Sequence, residues 1–243
     1  METEIYIFND REELADRLAS DFQRAVENSK NEGKGIFIAL SGGSTPRIFF
    51  EKLSKPPYDK GVSWSNVNLF WGDERCVPPD DEQSNFKMAN DTFISKVNIP
   101  SQNVHRIIGE NPPAVEVERY AKEIQKNLPS NNGFPEFDWI FLGMGTDGHT
   151  ASLFPNAPTL KETKSVCVVA EHPETGQKRI SLTPPVINNA KRVSFLVAGE
   201  EKAKVLKQIL YKGDSPLPYP ASKINPEKGI LEWYLDKAAA SEN

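Results

Sequence analysis

Three short polar clusters carry the residue types needed for anion binding and proton transfer: Ser41-Gly-Gly-Ser-Thr-Pro46, Gly72-Asp-Glu-Arg75 and Gly143-Met-Gly-Thr-Asp-Gly-His-Thr150. In the first, Gly42 and Gly43 let the backbone approach an anion closely. A helix starting there would aim free N–H groups at it, with Ser44 and Thr45 adding hydroxyl donors. An ordinary tight turn with Ser or Thr as the helix N-cap fits the same residues. The segment has neither the GK[ST] of a Walker A loop nor the GxGxxG spacing, so no nucleotide is indicated. In the third cluster, His149 is one of only three histidines, the side chain that most readily takes and returns a proton near neutral pH. Gly143, Gly145 and Gly148 imply a sharply bent loop, and Asp147 could orient the imidazole or bind a substrate hydroxyl. His105 and His172 have no such company and read as structural or solvated.

The second cluster offers Asp73, Glu74 and Arg75, either as site residues or as a surface salt-bridge cluster beside the acids Asp80, Asp81 and Glu82. Two further cations are candidates, Arg179 in Lys178-Arg-Ile-Ser-Leu-Thr183 and Lys202 in Ala198-Gly-Glu-Glu-Lys-Ala203. Lys202 falls in the first turn of an expected helix, where the macrodipole disfavours a cation unless it points at an anion. A phosphate pocket in a net acidic chain needs such local cations. No metal site is evident, since Asp147 and His149 have no HExxH or second histidine beside them. GxSxG is absent as well. The residues alone therefore point to an enzyme for a small phosphorylated substrate, using a histidine and no cofactor.

The elements that must position these clusters are legible as strands and amphipathic helices. Glu4–Phe8 reads as a strand, followed by a helix capped at Asn9 or Asp10 with Leu14, Leu18, Phe22 and Val26 on its apolar face. Ile36–Leu40 is a continuous apolar run of the kind covered on both faces of a sheet, and Val67–Trp71, Asp138–Leu142 and Val193–Ala198 read as further strands, the last being the final strong candidate. Residues 84–96, 114–128 and about 200–210 read as helices, and Pro46 suits the first turn of the helix after Ser41. Strand–helix alternation predicts an α/β fold with a mainly parallel sheet. Ligands collect at the carboxyl ends of such strands, and all three polar clusters directly follow strands, so they should converge. Prolines cluster in loops, among them Ser215-Pro-Leu-Pro-Tyr-Pro220, none long enough to link independent domains. One domain over residues 1–243, with a core from about 4 to 239 and a fraying tail from Ala238, is the expectation.

Composition narrows the class. The chain has 243 residues, 38% of them apolar and 26% charged, which excludes a disordered tail. Its 29 basic and 34 acidic residues give a net charge of −5, a poor match to general nucleic-acid binding. Cys76 and Cys167 lie outside any CxxC pattern and point to a reducing compartment. The N-terminus carries charge where a signal peptide needs an apolar stretch, and no apolar run approaches the ~20 residues that span a bilayer. A cytoplasmic protein, without membrane contact and acting as a monomer or small homo-oligomer, is expected.

At these same residues the chain resembles the 6-phosphogluconolactonase family. The resemblance rests on Ser41–Pro46, Trp71–Arg75 with Val77-Pro78 and Ser84-Asn85, the block Gly143–Pro155, Arg179–Thr183, Gly199–Ala203 and Trp233–Ala238. It implies a Rossmann-like α/β fold, a mainly parallel sheet flanked by helices on both faces, and hydrolysis of 6-phosphoglucono-δ-lactone to 6-phosphogluconate in the oxidative pentose phosphate pathway, with water as cosubstrate and no cofactor. It further implies that the Gly42–Thr45 turn, Arg179 and Lys202 hold the 6-phosphate and that His149 is the general base. Arg75 would steady the oxyanion, while Asp73 and Asp147 orient hydroxyls or the histidine. The related glucosamine-6-phosphate deaminases carry DEY where this chain has Asp73-Glu74-Arg75, and a catalytic glutamate where it has Phe154. A deaminase, a non-catalytic sugar-phosphate sensor and a relaxed acyl-hydrolase are the competing readings.

Overall fold

The computed structural model describes residues 2–211 and 218–242. The expected proline loop at 215–220 and the last residue of the expected tail therefore lie partly outside the described residues. The main sheet has six strands, all parallel, in the order β1-β11-β10-β7-β2-β3. These are β1 (Glu2–Phe8), β2 (Ile36–Leu40), β3 (Val67–Trp71), β7 (Trp139–Leu142), β10 (Arg192–Val197) and β11 (Ile230–Asp236). A second, antiparallel sheet is ordered β4-β9-β8, from β4 (Asp73–Arg75), β9 (Lys178–Leu182) and β8 (Cys167–Glu171). A two-stranded hairpin, β5 (Ser130–Asn131) with β6 (Phe134–Pro135), precedes β7. The helices are α1 (Arg11–Asn31), α2 (Ser44–Leu53), α3 (Tyr58–Gly61), α4 (Asn85–Thr92), α5 (Pro113–Asn127), α6 (Pro184–Asn188) and α7 (Ala203–Leu210). The α/β class and the parallel sheet are as the alternation predicts.

Local chemistry accounts for the element ends. Asp10 caps α1 by accepting from the Glu13 backbone N–H at 2.9 Å. The α1 face Leu14, Leu18, Phe22 and Val26 is fully buried, each side chain contributing about 1.5–3 kcal/mol. Buried apolar residues from Leu14 to Ala239 form one contiguous cluster. Among the described residues, no helix is long and apolar enough to cross a membrane.

Several expectations need correction. Residues 84–96 are not one helix: α4 ends at Thr92, and a separate 3-10 turn covers Ile94–Lys96. The lysine-rich helix opens as a 3-10 turn, Glu200–Lys202, before α7. Val193–Ala198 is not the last strand, because β11 inserts between β1 and β10. The end of the chain does not simply fray: Ala239 is fully buried, and its N–H donates to Asp236 Oδ1 at 2.7 Å.

Candidate active site

The chain runs outward from β2 to β3 in one direction and from β7 through β10 to β11 in the other. The reversal lies between β2 and β7, the position where open α/β sheets bind ligands beyond the strand ends. A cavity of about 270 Å³ opens there. Its walls include Ser41–Pro46, Asp73, Arg75, Asn85, His149, Arg179 and Lys202. Every proposed site residue except Asp147 lines it, and Asp147 sits directly behind His149.

The turn after β2 is not capped by Ser or Thr. Gly43 is the N-cap of α2, with φ 110°, and among the described residues no side chain bonds the helix end. Ser44 and Thr45 are the first helical residues, and the first turn contains no acid. The end thus keeps free N–H groups and an uncompensated positive dipole facing the cavity. Gly42 is required by close packing: a Cβ there would lie 2.0 Å from Asn85 Oδ1.

Gly72 carries the chain from the main sheet into the second. Its N–H donates to the Leu40 carbonyl at 2.8 Å and its carbonyl accepts from Leu182 N–H at 2.8 Å. Strand alternation then puts Asp73 and Arg75 on the cavity side and Glu74 on the opposite side. The surface-cluster reading is wrong for these residues, since Asp73 is 5% and Glu74 2% exposed. Glu74 is a structural anchor. Its carboxylate accepts from the backbone N–H groups of Arg75, Asn85 and Phe86, each at 2.8 Å, and from Ser84 Oγ at 3.0 Å. Burial nonetheless pushes its pKa above the ordinary range, these hydrogen bonds offsetting only part. Asp73 Oδ2 accepts from Ser152 Oγ at 2.7 Å, and Ser152 N–H reaches Ser181 Oγ at 3.2 Å. These bonds tie the histidine loop to the second sheet.

Arg75 and Arg179 are register partners across β4 and β9. Neither makes an ion pair among the described residues, and the Nε of each is buried without a hydrogen-bond partner. Burial and the neighbouring Arg75 charge hold the Arg179 pKa below the usual guanidinium range, against the pull of Asp73 and Glu74. Arg75 is half-buried, with its Nη1 donating to the Gln83 carbonyl, and Arg179 is buried; two guanidinium groups side by side form a receptor for an anion. Lys202, in the turn after β10, also lines the cavity. That turn is held from β11, where both Asp236 carboxylate oxygens accept from Gly199 N–H at 3.0 and 3.2 Å.

The histidine loop is closed by Gly145 N–H donating to the His149 carbonyl at 2.9 Å and Gly148 N–H to the Gly145 carbonyl at 3.0 Å. Asp147 Oδ1 lies 2.6 Å from His149 Nδ1 and accepts from His149 N–H at 3.1 Å. Burial raises the Asp147 pKa, but that backbone bond and the imidazole outweigh it and hold the carboxyl below the ordinary aspartate range. An ionised Asp147 accepts a hydrogen bond from Nδ1–H, which leaves Nε2 as the basic nitrogen. Gly145 leaves room for this pair, because a Cβ there would sit 2.2 Å from Nδ1.

The other histidines serve the fold. His105 stacks on Phe70 at 4.3 Å and faces Glu123 at 2.7 Å. His172 Nδ1 accepts two backbone N–H groups of its own turn, from Glu174 and Thr175 at 3.3 Å each. Asn85, part of the motif series but given no role in the sequence reading, is a further site residue. It is 3% exposed, and its Nδ2 donates to the Asp73 carbonyl at 2.9 Å, which turns Oδ1 toward Gly42. The capping serine before it was the available signal. Among the described residues, no group of three His, Cys, Asp or Glu side chains could hold a metal ion.

Known proteins with this architecture share the sequence as well. The family model for glucosamine-6-phosphate isomerases/6-phosphogluconolactonase matches residues 9–233. A 6-phosphogluconolactonase of Haemophilus influenzae is 44% identical over 232 residues, 96% of each chain. The structure of 6-phosphogluconolactonase from Trypanosoma brucei superposes with a TM-score of 0.90 at 30% identity, covering 99% of this chain and 98% of that one. A monomeric glucosamine-6-phosphate deaminase shares the fold, with a TM-score of 0.82 at 20% identity over 99% of this chain and all of that one. The chain belongs to the glucosamine-6-phosphate isomerase/6-phosphogluconolactonase family, on its 6-phosphogluconolactonase side.

Proposed function

We propose that this protein hydrolyses 6-phospho-D-glucono-1,5-lactone to 6-phospho-D-gluconate, with His149 as general base. The observation that carries the reading is the meeting, in one cavity, of the His149–Asp147 pair with two arginines that have no carboxylate partner among the described residues and a helix end without a side-chain cap among them. The 6-phosphogluconolactonases among its relatives support the substrate.

The α2 N-terminus at Gly42–Thr45, Arg179 and Lys202 bind the 6-phosphate, and Asp73 with Asn85 accepts ring hydroxyls. Nε2 of His149 takes a proton from water as the oxygen attacks C1. Arg75 stabilises the resulting oxyanion, an arrangement most effective where water is excluded. Collapse re-forms the carbonyl and breaks the bond from C1 to the ring oxygen, which takes the proton back from Nε2. The acid product then ionises. Asp147 keeps the imidazole in the tautomer this exchange needs. Phe154 stands where the deaminase pattern has a catalytic carboxylate, which favours the lactonase over the deaminase. The reading includes a cytoplasmic setting, supported by the free cysteines Cys76 and Cys167.

The test is lactone hydrolysis with substrate generated in situ and spontaneous opening subtracted, near pH 7. Wild type should accelerate opening, and His149→Ala should lose about 10²–10⁴ of that rate. Acceleration that survives in the variant removes His149 from its role. No acceleration by wild type returns the chain to the deaminase or sensor readings, with glucosamine 6-phosphate as the next ligand.

A further inference from the structure

Phe154 lies behind the cavity wall, 2% exposed, and is not part of the lining. Its ring nevertheless touches both halves of the site. The His149 imidazole packs on it with centroids 5.0 Å apart and planes at 45°. The Arg179 guanidinium carbon is 5.5 Å from its centroid. A third contact holds the ring in place: His172 meets it edge-on at 5.2 Å and 69°. His172 is itself pinned by the two backbone N–H groups it accepts. The backbone is set as well, since Leu153 N–H donates to the Thr150 carbonyl at 2.9 Å and Ala157 N–H to the Phe154 carbonyl at 3.2 Å.

We infer that Phe154 is a positioning residue that couples the base to the anion-binding cation, one aromatic ring serving as the common wall of His149 and Arg179. This inference rests on the hydrolysis proposed above. The Asp147 bond fixes one edge of the imidazole but leaves the ring free to swing about it. Phe154, packed against the ring, blocks that swing. The same ring attracts the guanidinium through its quadrupole. That attraction matters because Arg179 has no carboxylate partner among the described residues to hold it. Displacing the ring therefore disturbs proton transfer and phosphate binding together, although Phe154 touches no substrate.

Phe154→Leu keeps an apolar side chain but removes the flat aromatic wall, and Phe154→Tyr restores it. Turnover of the phosphorylated lactone and calorimetric binding of 6-phosphogluconate are measured on wild type and both variants. Phe154→Leu should lower kcat by about tenfold and weaken 6-phosphogluconate binding by about three- to tenfold, with Phe154→Tyr recovering most of both. In an Arg179→Met background, Phe154→Leu should still lower kcat but no longer change KM. If Phe154→Leu does not fold, Phe154→Met carries the same measurements. A fall in kcat with unchanged binding overturns the coupling, and so does full activity of the leucine or methionine variant. An inactive wild type defeats the hydrolysis reading instead, a result visible before any variant is compared.

Discussion

Arg75 and Arg179 face one another directly across β4 and β9, one half-buried and one buried guanidinium group, and neither has a carboxylate partner among the described residues. Like charges directly opposite in a sheet cost stability, a repulsion that a bound anion would relieve. Arg179→Met keeps the apolar stem and removes that repulsion, while giving up the contact with Phe154. The melting temperature without ligand should be unchanged or rise by up to about 3 °C. Binding of 6-phosphogluconate should weaken at least about tenfold, reading the pair as one strong charge-assisted contact. A melting temperature well below wild type, or undiminished binding, would show that the pair is structural.

Gly145→Ala tests the geometry of the base. Gly145 does not have a positive φ, so alanine carries no backbone strain there. Its Cβ would fall 2.2 Å from His149 Nδ1 and 2.5 Å from Asp147 Oδ1, forcing the pair apart. The variant should fold with an unchanged circular dichroism spectrum and lose about 10² in kcat, within the range of general-base catalysis. Normal turnover would mean that the pair is not needed as drawn.

Asp147 has a pH signature with a definite sign. Its pKa is lowered in the folded protein. Its contribution is therefore present above the unfolded value of ~3.9 and is lost as pH falls through the lower folded value. Between pH 5 and 8 the carboxylate stays ionised, and the rate profile should show no step from it. Asp147→Asn should lower kcat at every pH in that range with little change in KM. A variant that matches wild type above pH 6 would remove Asp147 from the mechanism.

Glu74→Ala removes four hydrogen bonds to a buried carboxylate and releases the start of α4. The expected loss is about 3 kcal/mol of stability, the lower part of what several bonds to one charged group would give. Chemical denaturation reads it directly. Because Asn85 sits in that first turn, KM should rise as well. A loss under about 1 kcal/mol would show that the carboxylate is dispensable.

The cysteines should be inert in the native state. Burial pushes the Cys167 thiol far above its usual value and raises that of Cys76 as well, so the thiolate is scarce near neutral pH. Alkylation followed by mass spectrometry at pH 8 should label Cys76 slowly, and Cys167 only after unfolding, with activity retained. Rapid native labelling of Cys167 would contradict its burial.

The amino-acid sequence by itself determined the elements whose signal is local. Ile36–Leu40 and Val67–Trp71 end where the apolar runs end, and the four-residue spacing from Leu14 to Val26 is the buried face of α1. The three polar clusters were legible for the same reason, since each is contiguous and follows a strand. Tertiary structure alone decided what depends on partners far along the chain. Residues Ile230–Asp236 carry one acid, Glu232, inside the apolar run and a second at its end, which hides the strand. Glu232 is tolerated there because Arg192 on β10 binds it through two bonds, at 2.6 and 2.8 Å. The facing of Arg75 and Arg179, the turning of Asn85 toward Gly42 and the placing of Phe154 between base and cation all follow from pairing register and packing. No local periodicity encodes which distant strand a residue will face, so these relationships exist only once the sheets have formed.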